Sequence, residues 1–166
     1  LLPSEEAERQ MYARTEEKLL EHGMHRYEIS NYAKAGYVCR HNVGYWKRVD
    51  YIGFGLGAST LQNPLRYKNT DDLQEYLNRD FSKKELLVLT KDNQIEETLF
   101  LGLRMMEGVS LSAFEEHFHC PLTVIYQREI QKLTEKGLLR IEEDRISLTE
   151  KGIDLSNMVL SEFLLG

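Results

Sequence analysis

The chain has 166 residues, of which 42% are hydrophobic and 10% aromatic, and this composition excludes a disordered segment. No apolar run approaches the roughly 18 residues that a membrane span needs, and no signal peptide is visible. Two widely separated cysteines exclude a disulfide scaffold and favour the reducing cytoplasm. The net charge of −6 belongs wholly to residues 93–166, because residues 1–92 carry 14 Lys+Arg against 14 Asp+Glu.

The pattern of residues 1–90 predicts alternating helices and strands. The predicted elements are a helix from Ser4 to Glu21, a strand over 24–29, a loop over 31–36, a short helix over 40–48, a strand over 51–54 and a short helix over 71–77. This order is typical of the closing units of an α/β barrel. A complete barrel needs about 250 residues, so we expect only the truncated end of one.

A different pattern begins near residue 90, where we place a domain boundary. Apolar residues recur at helical spacing from Ile95 to Met106, in a helix that we expect Gly108 to end. A short helix follows from Ser110 to Phe118, and Pro121 starts another. Two short strands over 138–141 and 145–148 precede a last helix. The sequence therefore predicts a mostly helical, winged-helix-like domain over residues 91–166, after an α/β region over 1–90.

A winged helix raises the question of DNA binding, because the third helix of such folds often enters the major groove. The charges argue against it. The predicted third helix balances its lysines and arginine with Glu129 and Glu135, and the wing tip is Glu142-Glu143-Asp144. A protein that neutralises phosphates needs an excess of Lys and Arg on its docking face. We therefore expect no nucleic-acid partner.

Residues 41–46, with the sequence His-Asn-Val-Gly-Tyr-Trp, hold the densest group of functional side chains. In a helix, His41 and Tyr45 share one face, and Asn42 and Trp46 share the next. A nitrogen ligand beside two aromatic rings suits a flat aromatic ligand such as a porphyrin. The alternative is an aromatic cluster that packs the helix on a sheet, with His41 in an ordinary hydrogen bond.

The glycine-rich segment after this helix must be tested as a nucleotide site. Gly53-x-Gly55-x-x-Ala58 matches a relaxed dinucleotide fingerprint, but such a site needs a helix directly after the glycines. Here Asn63-Pro64 follows too soon for one. The glycines, with Gly57, more plausibly let the backbone approach another segment or a ligand closely.

Two further groups of polar residues are weaker candidates. His117-x-His119-Cys120-Pro121 lacks the partner pair that a zinc site requires, and a helix end with a buried cysteine explains it better. Glu28 and Asn31, at a strand end, either face a ligand or form a local turn hydrogen bond. Cys39, close to His41, is a still weaker candidate, as a soft ligand on a loop.

Three motifs follow one another in the N-terminal half. They are Tyr27-Glu28-Ile29-Ser30-Asn31-Tyr32-Ala33, His41-Asn42-x-x-Tyr45-Trp46 and Asp50-Tyr51-Ile52-Gly53-x-Gly55-x-Gly57-Ala58. In this order they resemble the radical SAM haem chaperone family (HemW-type), whose members are also described as oxygen-independent coproporphyrinogen III oxidase-like. The resemblance runs from the first helix to the C-terminus. It implies haem binding, delivery of haem to acceptor haemoproteins, S-adenosylmethionine and a [4Fe–4S] cluster.

The resemblance also implies roles for single residues. His41 would be the haem-proximal residue, as axial ligand or hydrogen bonder. Tyr45 and Trp46 would pack on the macrocycle, and Asn42 would orient His41 or bond a propionate. Propionates also favour nearby cations, here Arg40, Lys47 and Arg48. Gly53, Gly55 and Gly57 would lie near S-adenosylmethionine on the barrel rim.

Two other functions remain open at this point. A true oxygen-independent coproporphyrinogen III oxidase of porphyrin biosynthesis shares the architecture of the chaperones, and the motif at residues 41–46 favours the chaperone. A winged-helix binding module is the third, disfavoured by charge. The family's cluster is held by Cys-x-x-x-Cys-x-x-Cys, which this chain lacks, so we expect it to be the C-terminal part of a longer protein.

The first prediction concerns iron. Only Cys39 and Cys120 are present, so the chain alone cannot supply the usual thiolate set of a [4Fe–4S] cluster. After anaerobic reconstitution of the chain alone, we expect iron and sulfide analysis to find no stoichiometric cluster. One cluster per monomer would contradict this prediction.

Overall fold

The computed structural model describes residues 3–80 and 82–164. The elements of the N-terminal half are α1 (Glu5–Glu21), β1 (His25–Glu28), β2 (Asn31–Ala33), α2 (Arg40–Trp46), β3 (Ser59–Gln62), β4 (Leu65–Lys68), α3 (Leu73–Leu77) and β5 (Lys84–Val88). Those of the C-terminal half are α4 (Lys91–Gly102), β6 (Val109–Ser110), α5 (Leu111–Phe118), α6 (Leu122–Ile125), α7 (Gln127–Glu135), β7 (Leu139–Glu142), β8 (Arg145–Leu148), α8 (Glu150–Asp154) and α9 (Ser156–Ser161). None of the described helices is both long and apolar enough to cross a membrane.

The first helix begins and ends as the sequence predicts. The Ser4 hydroxyl accepts a hydrogen bond from the Ala7 amide at 3.2 Å, and Gly23 follows the helix with φ +70°. The strand over 24–29 is also confirmed as β1. The prediction of a loop over 31–36 is wrong at its start, because Asn31–Ala33 forms β2 and pairs with β1 in an antiparallel hairpin.

The strands of the N-terminal half do not form parallel units. All named strand pairs in the described residues are antiparallel, in three small sheets with the orders β1-β2, β3-β4-β5 and β6-β8-β7. The predicted strand over 51–54 is wrong, since only Tyr51 forms a bridge, to Leu61. Only two residues join β3 to β4, and parallel neighbours need a crossover of a dozen or more. The described residues therefore form a mixed α/β architecture with three small antiparallel sheets in place of the parallel units predicted for residues 1–90.

The C-terminal half has the predicted order of helices, a two-stranded hairpin and a helical end. Two helices, α6 and α7, stand where one was predicted after Pro121, and α8 and α9 stand where a single last helix was predicted. The sequence prediction missed β6, which adds a third strand beside β8. It also placed the end of the first helix too late, because α4 ends at Gly102. Gly108 instead lies in the turn before β6 with φ +65°, where a Cβ would overlap the Ile146 carbonyl oxygen.

The large apolar core lies in the C-terminal half. Its buried members all fall between Ile95 and Phe163, and every helix from α4 to α7 contributes to it. In the described part of the N-terminal half, by contrast, the buried hydrophobic residues are Leu61 and Leu89. Because apolar burial is the main stabilising contribution to folding, the N-terminal half depends on its contacts with α4 and the turn after it.

A partly buried ionic cluster connects the two halves. The Glu97 carboxylate on α4 accepts hydrogen bonds from Arg48 Nε at 3.0 Å and from both terminal nitrogens of Arg66, at 2.6 and 2.9 Å. Arg48 is 8% exposed and also donates to Asn63 Oδ1 at 2.9 Å. The bonds to Glu97 raise the pKa of Arg66. The cluster holds the end of α2 and the β3–β4 hairpin on α4.

The second prediction follows from this cluster. Replacement of Glu97 by Gln leaves two guanidinium groups without their counter-charge, at a cost of about 2–4 kcal/mol. We expect hydrogen exchange to accelerate at the backbone amides of α2 and β3–β4, with little change in the core of the C-terminal half. Glu116→Gln, at an exposed carboxylate on α5, is the control. Equal exchange in the two variants would mean that the cluster does not hold the halves together.

Candidate functional site

The predicted face of α2 is present and open to solvent. The His41 and Tyr45 rings meet edge to face, with centroids 4.6 Å apart and planes at 78°. Tyr45 in turn contacts Tyr51 at 4.7 Å and 82°. His41 is exposed, and Tyr45 is 36% exposed. The prediction that His41 and Tyr45 share a helix face is therefore confirmed, and Tyr51 is a third ring that the sequence reasoning did not weigh.

Trp46 lies on the other face of α2 and packs inward. The Arg104 guanidinium carbon lies 4.4 Å from the centroid of the indole, in a cation–π contact. Arg104 also reaches the Glu28 carboxylate at 3.4 Å. The structure thus separates the motif into an exposed face, with His41 and Tyr45, and an internal face, with Trp46.

Glu28 and Asn31 form a local turn. Glu28 is 0% exposed, and its Oε1 accepts hydrogen bonds from the Ser30 amide at 2.8 Å and from Asn31 Nδ2 at 2.6 Å. Its other oxygen faces Arg104. Of the two alternatives for this pair, the structure contains the turn hydrogen bond, and the buried carboxylate is satisfied without a ligand.

The three candidate cations around α2 differ in their availability. Lys47 pairs with Glu107 at 2.7 Å, and Arg48 is buried against Glu97. Arg40, which begins α2 beside His41, is exposed and has no ion pair among the described residues. Arg40 is therefore the cation best placed to meet an anionic group that approaches the exposed face.

The glycine segment is a turn held by its own hydrogen bonds. Asn69 Nδ2 donates to the carbonyl oxygens of Gly53 and Gly55, at 3.2 and 2.9 Å, and the Gly57 amide donates to the Thr70 carbonyl at 2.8 Å. A strand, β3, follows the glycines, so the helix that a dinucleotide site requires is absent there. The proximity of Gly53, Gly55 and Gly57 to S-adenosylmethionine stays a prediction.

The remaining histidines and the cysteines do not converge. Pro121 precedes α6 as predicted, and His119 ends α5 in the left-handed region with φ +55°. Cys120 is half-buried rather than buried, and Cys39 is exposed. Within residues 3–80 and 82–164, no three His, Cys, Asp or Glu side chains come together as a metal site. The donor set of the chain therefore does not fit a [4Fe–4S] cluster.

The polar contacts that organise the site link distant parts of the chain. Arg104 reaches Glu28 and Trp46, and Glu97 reaches Arg48 and Arg66. No local spacing signals such pairs. Tyr51 was detectable in principle, because it lies in one of the quoted motifs, but its contact with Tyr45 depends on how residues 47–50 turn the chain.

The comparisons with known proteins agree with this architecture. Residues 89–155 match the family described as "HemN C-terminal domain". The chain is 39% identical to the haem chaperone HemW of Lactococcus lactis and 38% identical to that of Bacillus subtilis, covering 99% and 98% of this chain and 44% of each relative. By homology, the chain belongs to the C-terminal region of the HemW/HemN family. It spans less than half the length of these relatives.

A solved structure supports the same fold. The radical SAM enzyme coproporphyrinogen III oxidase (HemN) from Escherichia coli aligns with 99% of this chain at a TM-score of 0.76, over 42% of the enzyme. The sequences are 18% identical, so this likeness shows the fold alone. The family resemblance inferred from the three motifs is confirmed by the family match and the HemW relatives.

Several cations on the surface of the C-terminal half are paired with acidic side chains. On α7, Lys132 is bound to Glu162 at 2.7 Å, and on the wing Arg140 faces Glu142 at 3.6 Å. The wing-tip residue Asp144 turns back to the start of α5, where its carboxylate accepts a hydrogen bond from the Ser110 hydroxyl at 2.6 Å. This bond lowers the pKa of Asp144. Lys132 on α7 and Arg140 and Arg145 on the β7–β8 hairpin therefore have acidic partners, whereas Arg128 on α7 forms no ion pair among the described residues.

The third prediction therefore concerns DNA. In a low-salt titration with duplex DNA, where electrostatic binding is strongest, we expect no binding at micromolar concentrations. The double substitution Glu142→Lys and Glu143→Lys, which reverses the wing's charge, tests whether acidity is the cause, and it should bind more tightly than the natural protein. Micromolar or tighter binding by the natural protein would contradict the prediction.

Proposed function

We propose that the protein is a haem chaperone, in which the exposed face of α2 forms part of the surface that binds haem for delivery to acceptor haemoproteins. One observation carries the proposal: an exposed imidazole, His41, is braced edge to face by an aromatic ring that is itself partly exposed. A neutral imidazole is the usual protein ligand of haem iron, and aromatic rings pack well on a macrocycle. The relatives named as haem chaperones support the same reading.

Each residue of the motif has a role in this proposal. His41 binds the iron or donates a hydrogen bond to an iron-bound group, and Tyr45 packs against the porphyrin edge. Asn42 orients His41 or bonds a propionate, and Arg40 pairs with a propionate. Trp46 contacts haem less directly than the sequence alone suggested, because Arg104 covers one side of its indole. Its contribution is to hold α2 in place.

The proposal assigns no chemical step to a cluster or to S-adenosylmethionine. The cysteines and histidines of the described residues do not form a cluster site, and the polar backbone groups of the glycine turn are largely used in internal hydrogen bonds. If the intact protein holds these groups, we propose that other parts of it bind them and that Gly53, Gly55 and Gly57 shape the turn nearby. We also propose a cytoplasmic location, where both cysteines stay reduced.

A second candidate is an oxygen-independent coproporphyrinogen III oxidase. The fold shared with the HemN enzyme favours it, at 18% identity. The greater identity to proteins named HemW and the exposed His41–Tyr45 face favour the chaperone. Turnover of coproporphyrinogen III by the intact protein would decide for the enzyme. A winged-helix binding module is the third candidate. The acidic wing tip and the pairing of Lys132 and Arg140 with carboxylates disfavour it.

The fourth prediction tests the haem ligand in the intact protein. Replacement of His41 by Ala removes a coordination bond as well as a contact, so we expect haem affinity to fall more than tenfold, equivalent to about 1.4 kcal/mol or more, with a changed Soret band. Titration followed by absorbance measures both. Trp46→Ala should lose less affinity and more stability, because its indole packs internally.

Two histidines serve as matched controls. His117 meets Phe118 edge to face, and His119 ends α5, so His117→Ala and His119→Ala should change haem affinity much less. A melting curve for every variant separates loss of fold from loss of binding. If folded His41→Ala protein binds haem with unchanged affinity and spectrum, His41 is not the ligand and the motif is a packing element.

A further inference from the structure

We infer that Tyr51 is a positioning residue that sets the orientation of the His41 imidazole through the Tyr45 ring. The inference rests on the proposed function, because it concerns how the proposed ligand is held. The three rings form a continuous ladder, His41–Tyr45–Tyr51, with centroid separations of 4.6 and 4.7 Å. No part of the proposed ligand chemistry requires Tyr51 to touch haem.

The ladder begins at a rigid point. The Tyr51 amide donates to the Leu61 carbonyl at 2.8 Å, and the Leu61 amide donates back to the Tyr51 carbonyl at 3.0 Å. Leu61 is 3% exposed and lies in β3, which pairs with β4 over four residues. The backbone of Tyr51 is therefore fixed to the sheet, although residues on both sides of it are outside the named strands.

The middle of the ladder needs such support. α2 has only seven residues, and its N-cap residue, Cys39, makes no side-chain capping bond. Helices of this length are marginal by themselves and depend on tertiary contacts. The exposed face of α2 has few other neighbours, so the near-perpendicular contact of Tyr45 with Tyr51, at 82°, supplies one from the sheet. Burial raises the pKa of Tyr51, so its phenol stays neutral beside Tyr45.

The ladder ends at the His41 imidazole, the proposed iron ligand. A histidine binds iron well only when the ring nitrogen points along the axis of the metal, and an exposed side chain without support samples several rotamers. The Tyr45 ring, at 78° to the imidazole, restricts that sampling. Tyr51 thereby acts on the His41 imidazole indirectly, by limiting the movement of Tyr45.

The test compares three variants of the intact protein. Tyr51→Leu removes the ring, Tyr51→Phe restores it without the hydroxyl, and Tyr67→Leu removes another half-buried tyrosine of the same region, on β4. We expect Tyr51→Leu to weaken haem binding about two- to tenfold, the range for releasing one ordered side chain. Ferric haem in that variant should give a broadened, heterogeneous electron paramagnetic resonance spectrum. Tyr51→Phe should restore both properties, and Tyr67→Leu should leave them unchanged.

A measurement without haem makes the inference independent of the ligand assignment. In protein carrying ¹³C-labelled histidine, the His41 ring resonances should shift and broaden in Tyr51→Leu, because the ring current and restraint of Tyr45 change. In Tyr51→Phe and Tyr67→Leu, the His41 resonances should match those of the unsubstituted protein. Unchanged His41 resonances in folded Tyr51→Leu protein would overturn the inference, as would equal effects of Tyr51→Leu and Tyr67→Leu.

The outcomes separate this inference from the proposed function. If His41→Ala leaves haem binding unchanged while the His41 resonances respond to Tyr51→Leu, the ladder stands and the haem proposal fails. If His41→Ala weakens binding while Tyr51→Leu alters neither the resonances nor the haem spectrum, the haem proposal stands and the positioning role fails.

Discussion

The arrangement of the N-terminal half depends on one carboxylate. Glu97 lies on the side of α4 away from the buried Ile95 and Leu99, and it accepts hydrogen bonds from Arg48 and Arg66. Arg48 follows the end of α2, and Arg66 lies on β4. The two arginines are 18 positions apart in sequence. By binding both, Glu97 fixes the helix that carries His41 relative to the hairpin that fixes Tyr51. A bidentate guanidinium–carboxylate geometry is directional, so it sets the angle as well as the distance between these elements.

The uneven charge of the chain contributes to the contact between its two halves. The excess of acid lies in residues 93–166, and two of those acids, Glu97 and Glu107, bind cations of the neutral N-terminal half. Part of the acidity is thus used for internal attraction between the halves. Two further acids, Glu162 and Glu142, pair with Lys132 on α7 and Arg140 on β7. Part of the acidic composition therefore serves attraction within the molecule.

The sequence was most informative where a local pattern determines structure. Several predicted features depend on residues only a few positions apart. They are the caps at Ser4 and Ser110, the helix start at Pro121, the hairpin of β7 and β8, and the shared face of His41 and Tyr45. The sheet β3-β4-β5 was not predicted because its strands are short and irregular, with Glu85 at φ +51° in the edge strand. Long-range partners, such as Arg104 for Trp46, have no local signal. The motif identified the family, and only the fold separated its exposed residues from its internal ones.

The position of the apolar core has a further consequence for how the molecule moves. Because nearly all deeply buried hydrophobic side chains belong to the C-terminal half, α2 and the strands around it sit on the part with the lowest local unfolding free energy. Such a segment opens and recloses many times for each global unfolding event. The polar contacts around Glu97 then limit how often α2 opens, while the C-terminal half keeps its shape.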